Sequence, residues 1–195
     1  MAGRPREFDR DAALAQARDT FWARGYEGVS MADLVDTLGI ASARIYAAFG
    51  SKEALFREAV ELYDAGEGGF ATRALAEEPT AAAAINRILR EAIELYTRKG
   101  RPHGCMVVSA ATNCSQENET VREWLAGLRR RRTVSLVRRL KKAVTDGELP
   151  ARIDADALGE YFATVLHGLS VQARDGVPKD RLIATIPAAM SALHL

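Results

Sequence analysis

Residues 30–52, SMADLVDTLGIASARIYAAFGSK, constrain this chain most, because they encode two short helices joined by a tight turn, with a third helix starting directly behind them. Ser30 and Asp33 stand three apart ahead of an apolar run. The Ser30 hydroxyl can therefore accept a free backbone N–H while the Asp33 carboxylate reaches back. Met31, Leu34, Val35 and Leu38 form one face of this helix. Gly39 follows where a left-handed residue lets the chain turn without a Cβ penalty, and Ile40 fills the turn. The second helix, about Ala41 to Phe49, buries Ile45 and Phe49 at i and i+4, leaving Ser42, Ala43, Arg44, Tyr46 and Ala47 outward. In a helix-turn-helix the start of the second helix enters a major groove, and small Ser42 and Ala43 suit a close backbone approach.

Three segments in order resemble the TetR-type transcriptional repressors. Phe21-Trp22-Ala23-Arg24-Gly25-Tyr26-Glu27-Gly28 matches that family's aromatic-x-x-x-Gly-Tyr/Phe segment. Ser30 to Val35 matches the opening of its second helix, and Ile45-Tyr46 to Phe49 with Ser51-Lys52-Glu53-Ala54-Leu55 matches the recognition-helix end and the start of the fourth helix. The likeness covers roughly the first 60 residues. It implies a DNA-binding set of Arg4, Arg6, Ser30, Ser42, Ala43, Arg44, Tyr46, Ala47 and Lys52, with Tyr46 and Lys52 as phosphate anchors. Arg44 either reads a guanine edge bidentately, for about 1–3 kcal/mol of discrimination, or binds phosphate. The chain departs from the family at Ala41, where a Ser or Thr cap would be worth about 1 kcal/mol, and at Ala47 and Ala48, where a His or aromatic is usual.

Gly3-Arg4-Pro5-Arg6 is a basic arm suited to a minor-groove or phosphate contact, the alternative being a free start to the chain. Asp9 then caps a first helix with Leu14, Ala17, Phe21 and Trp22 on its core face. Residues 1–52 carry seven basic and seven acidic side chains, and the whole chain is only +1, so attraction to DNA must come from local placement of charge. The 195 residues suffice for a small head, 1–52, and a ligand-binding and dimerisation domain, 53–195. Lacking an apolar run near 18 residues, a signal peptide or a rich cysteine complement, the chain is expected to be cytoplasmic and not membrane-bound.

Helical periodicity persists throughout and no alternating stretch is long enough for a sheet, so the fold expected is all-α, with about nine helices. Helix four runs from Ser51 through Tyr63 to Gly66, Gly68 and Gly69, which form a hinge or a neutral loop. A fifth helix follows Thr80, a short sixth spans Cys105 to Cys114, and a seventh runs from Asn118 to Asp146. Two amphipathic helices, 154–174 and 178–193, close the chain. The resemblance implies that they form a four-helix homodimer interface, with Gly159, Ala163 and Gly168 permitting close contact; packing within one monomer is the alternative. Two half-sites of a palindromic operator would then be read together.

The core offers Tyr96, Cys105, Ser109, Trp124, Arg132 and His167 as candidate contacts for a small-molecule effector. Arg132 falls inside the apolar stripe of Leu128 and Leu136, either pointing inward to anchor an anionic effector, or snorkelling outward or pairing with a core carboxylate. Cys105, near a helix start, is a candidate thiol sensor of oxidants or electrophiles, a soft-metal ligand with Cys114, His103 and Met106, or an ordinary cavity-lining residue. No nucleophile elbow, phosphate loop or zinc signature points to an enzyme or a cofactor. A docking module built on the same helix-turn-helix is the other non-catalytic reading. Loss of duplex binding with salt separates it from a DNA reader.

Overall fold

The structure, a computed structural model, describes residues 9–194; Arg4 and Arg6 lie outside them. Among the described residues there is no strand. Helix α1 (Arg10–Arg24) starts where Asp9 accepts from the Ala12 N–H at 3.0 Å, and it buries Ala17, Phe21 and Trp22 completely. Helix α2 (Met31–Leu38) opens with a full capping box between Ser30 and Asp33, and Gly39 ends it at φ 66°. Helix α3 (Ser42–Phe49) completes the helix-turn-helix, and helix α4 (Lys52–Ala65) leads from it into the core, capped by Ser51, whose hydroxyl accepts from the Ala54 N–H at 3.0 Å. Leu55, Phe56, Ala59, Val60 and Tyr63 of α4 pack against α1 and the core.

The glycines after α4 make a packed corner. A Cβ on Gly68 would lie 2.3 Å from the Tyr63 ring, so only glycine lets the chain lie across that face. A single 3-10 turn at Glu67–Gly69 follows, then helix α5 (Phe70–Glu77), which the glycine cluster hid from the periodicity. Helix α6 (Ala81–Tyr96) is capped by Thr80 and buries Ala84, Ile88, Ala92, Leu95 and Tyr96 as expected. Helix α7 is only Met106–Ser109 rather than extending to Cys114. The Ala110 carbonyl is taken by the Tyr26 N–H at 2.7 Å, which draws the chain out of helix. Helices α8 (Glu119–Thr145) and α9 (Ala155–Arg174) pair along their length.

The last expected helix is split into α10 (Lys179–Ile183) and α11 (Ile186–Ser191), followed by a 3-10 turn to His194. Pro187 has no N–H for the Ile183 carbonyl, and its ring crowds it, so apolar periodicity alone overestimated this helix. Helix α5 and this split are the additions to the nine helices expected. On α9, Gly159 and Ala163 face into the chain, whereas Tyr161, Gly168 and Val171 remain on an open face.

Candidate nucleic-acid interface and core cavity

The recognition helix presents the side chains its spacing predicted. Ile45 and Phe49 are buried, and Ser42, Ala43, Arg44, Tyr46 and Ala47 are exposed, Tyr46 at 48%. Among the described residues Arg44 makes no ion pair, so its guanidinium stands free for a base edge or a phosphate. The Ala41 cap leaves the first α3 amides without a side-chain acceptor. That end of the helix is open to an anion, with the helix dipole favouring it. Ser30 is occupied differently: its N–H and hydroxyl both donate to Asp33 Oδ2, at 2.7 and 2.5 Å. Arg24, ion-paired to Asp33 at 2.8 Å, and Ser30 together hold the Asp33 carboxyl well below the usual range.

Lys52 lies at the start of α4 with its Nζ 4.2 Å from the centre of the Tyr26 ring. Burial lowers its pKa, the nearby Glu27 charge opposing. The cation–π contact restricts the rotamers of the lysine arm. Arg10 was not legible as a site residue, yet it braces the recognition helix. It donates to both Glu58 oxygens on α4, at 2.8 and 2.7 Å, and to the Ala48 carbonyl at the end of α3 at 3.3 Å, while its guanidinium lies over Phe49 at 4.4 Å. The head meets the core through Arg101, paired to Asp19 at 2.7 Å, and through Arg174, which donates to the Trp22 and Ala23 carbonyls at 3.2 Å each.

In the core a cavity of about 180 Å³ lies between α4, α5, α6, α8 and α9. Tyr96, Arg132 and His167 line it, together with Asp64 and Arg129, which the sequence reading did not select. Of the alternatives open for Arg132, the pairing with a core carboxylate is the one that forms: the side chain turns inward and Nη2 pairs with Asp64 Oδ1 at 2.5 Å. Cys105 sits behind the wall, 0% exposed, its sulfur accepting from Tyr63 Oη and Arg132 Nη1 at 3.5 Å each. Burial pushes the Cys105 thiol up, but the Arg132 charge and the hydrogen bonds it receives outweigh that and leave its pKa lowered. Burial, then Arg129 and Arg132, lowers the pKa of His167.

Ser109 and Trp124 stand elsewhere. Ser109 lines a groove between the head and α9 with Tyr26, Cys114 and Arg174. Trp124 packs edge-on to Phe56 at 6.2 Å beneath the Arg57 guanidinium, bracing α4 against α8. Cys114 and His103 line two separate surface grooves, and among the described residues no group of three or more His, Cys, Asp and Glu is placed to hold a metal.

An exposed recognition helix braced on a long α-helical core defines a helix-turn-helix transcriptional regulator. Residues 13–59 match the model of bacterial regulatory proteins of the tetR family, and residues 81–186 match the tetracyclin repressor-like C-terminal domain. The chain is similar to the HTH-type transcriptional repressor ComR of Escherichia coli (strain K12), 31% identical over 93% of this chain and 87% of that protein. It is also similar to the repressor BdcR of the same organism, 28% identical over 99% of this chain and 93% of that one. Among solved structures, a cysteine-substituted TetR family regulator CifR, complexed with 26 bp operator DNA, is 43% identical, covers 98% of this chain and 100% of that one, and superposes with a TM-score of 0.92. The chain belongs to the tetR family and is a DNA-binding transcriptional repressor. Among the described residues no helix is long and apolar enough to cross a membrane.

Proposed function

We propose that this chain is a cytoplasmic homodimeric repressor, with a head of 1–52 and a core of 53–195, released from a palindromic operator when a small molecule enters the core cavity. The observation that carries this is the Asp64–Arg132 pair. Arg132 lines the cavity on α8, while Asp64 lies in the last turn of α4, whose first residue, Lys52, lies three positions past the recognition helix. A ligand competing for Arg132 therefore loosens the far end of the lever that carries the head. The likeness to a regulator solved on its operator supports taking the clasped conformation as the DNA-competent one. A ligand that prefers the unclasped form lowers DNA affinity by that preference, about 1–3 kcal/mol in typical coupled systems.

In this reading Arg44 contacts a base edge, Tyr46 and Lys52 hold phosphates, and the open face of α9 with α11 joins two copies so that the heads span half-sites roughly 34–36 Å apart. The effector leaves chemically unchanged. Duplex selection with the purified protein, followed by release assays on the selected operator, tests it. Arg132→Ala removes the whole clasp, so operator Kd is expected to rise by about fivefold to thirtyfold and release by effector to be lost. Release unchanged in that variant, a monomeric mass by light scattering at micromolar concentration, or duplex binding indifferent to salt would each overturn the corresponding part.

A second reading follows from Cys105. Its sulfur touches Arg132 and Tyr63, so oxidation or alkylation there would disturb the same clasp from behind. Cys105→Ser abolishing release by a thiol-reactive compound while operator binding persists would establish it; normal release would dismiss it.

A further inference from the structure

The cavity is charged in a way that its own residues do not balance. Arg129, Arg131 and Arg132 line it, against one carboxylate, Asp64, which is committed to Arg132. Arg129 is half-buried and has no carboxylate partner among the described residues. Its Nη1 is satisfied by the Val107 and Val108 carbonyls at 2.9 and 3.5 Å, which fixes the guanidinium without neutralising it. A guanidinium held this way in a partly desolvated wall is poised for an anion, and its planar fork matches a carboxylate. Thr72, Thr133, Ser135 and His167 add polar groups to the wall, and the remainder is apolar. Phe70 and Tyr96 meet edge-on at 6.1 Å, and Leu75, Leu136, Ala163 and Leu166 close around them. A cavity of about 150 Å³ with apolar walls admits a benzene ring, so about 180 Å³ suits a ring carrying one small group.

We infer that the effector is a small aromatic monocarboxylate of about benzoate size, whose carboxylate takes Arg129 and displaces Asp64 from Arg132 while its ring packs on Phe70 and Tyr96. This rests on the reading that the core cavity is the effector site. It adds to that reading a charge, a size and a mechanism. The incoming carboxylate replaces the Asp64 carboxylate at Arg132, so the buried charge count around that guanidinium is conserved, but the tie to α4 is lost.

The test uses the full-length dimer with benzoate and its neutral isostere benzamide, measured by titration calorimetry and by release of the selected operator. Benzoate is expected to bind about tenfold or more tightly than benzamide, and only benzoate to release DNA. Arg129→Met is expected to erase most of that preference and leave benzamide binding unchanged, which also serves as the control for folding. Arg129→Lys is expected to restore part of it. Ala163→Phe, which fills the cavity, is expected to abolish binding of both compounds. Equal binding of the two, no binding of benzoate, or a preference untouched in Arg129→Met overturns the anionic class and leaves the cavity standing. Full benzoate binding in a folded Ala163→Phe variant overturns the cavity as the effector site.

Discussion

Asp64→Asn isolates the clasp between α4 and α8. The substitution preserves the shape of the side chain and removes the charge that Arg132 pairs with at 2.5 Å. Both partners keep solvent contact, 27% for Arg132 and 40% for Asp64. The pair therefore sits nearer the exposed range, about 1 kcal/mol, than the about 3–5 kcal/mol lost on breaking a buried one. Arg132 is not stranded by the change, because it retains the Gly68 carbonyl at 3.3 Å and Cys105 Sγ at 3.5 Å. One clasp per protomer gives a loss of about 1 kcal/mol if a single opening decides binding, and about 2 kcal/mol if both heads must be held. Operator Kd then rises about fivefold to about thirtyfold. Fluorescence anisotropy with a labelled operator at fixed salt measures this, alongside thermal unfolding, where about 1 kcal/mol lowers Tm by only about 2–4 °C in a chain of this size. The fold-change in Kd produced by effector should shrink by the same factor, since the contact the effector removes is already gone. Operator affinity and effector response both matching the parent protein would refute the coupling of cavity to head through this pair.

Arg10→Ala removes an ion pair in which Nη2 reaches both Glu58 oxygens, and a carbonyl contact, that brace α3. It is expected to cost about 1 kcal/mol of stability, read as a lower urea midpoint, and to weaken operator binding more than nonspecific duplex binding. Gly68→Ala places a methyl against the Tyr63 ring and is expected to destabilise by about 1–3 kcal/mol, measured by chemical denaturation. Stability should also fall on acidification. The folded-state pKa of His167 is lowered, so between that value and about 6.5 the unfolded chain binds the extra proton and is favoured as pH drops. His167→Gln should flatten that part of the pH profile; an unchanged slope in urea melts taken across this window would refute it.

The head was legible in the sequence because its signals are local. Asp9, Ser30, Asp33, Gly39 and Ser51 each act within four residues, and each cap forms as spaced. Helix α5 was not legible, since Gly66, Gly68 and Gly69 erase the periodicity. What restarts the helix is tertiary, with Gly68 seated on Tyr63 and Phe70 against Tyr96. Pro187 was a visible signal that the apolar pattern across 182–193 outweighed. In the cavity, the stripe left Arg132 open to holding an anion, snorkelling outward or pairing with a core carboxylate, and which carboxylate was not legible because Asp64 is 68 residues away in sequence. Arg129 was not selected as a site residue for a related reason. Its distinction from Arg130 and Arg131 lies in two carbonyls of α7, which no pattern on α8 encodes.

The cavity reaches the head by more than the Asp64 clasp. The Gly104–Cys105 backbone is held from four sides. Trp22 Nε1 on α1 donates to the Gly104 carbonyl at 3.0 Å, the Gly104 N–H donates to the Tyr96 carbonyl at 3.0 Å, the Cys105 N–H donates to Ser170 Oγ on α9 at 2.8 Å, and the Cys105 sulfur receives Tyr63 and Arg132. Trp22 and Tyr63 also meet edge-on at 4.8 Å, joining α1 to α4 directly above this point. Apart from the part-exposed Arg132 contact these are buried bonds, and leaving any one of them unmade costs about 1–3 kcal/mol, comparable to the whole coupling free energy available to a ligand. An effector therefore cannot bend α4 alone without breaking them. The lower-cost motion keeps Trp22, Tyr63 and the Cys105 segment together, so that α1 and α4 swing as one body when Arg132 changes partner. On the proposed effector response, the half-site spacing is then expected to change by rigid rotation of the head, with the recognition helix itself left intact.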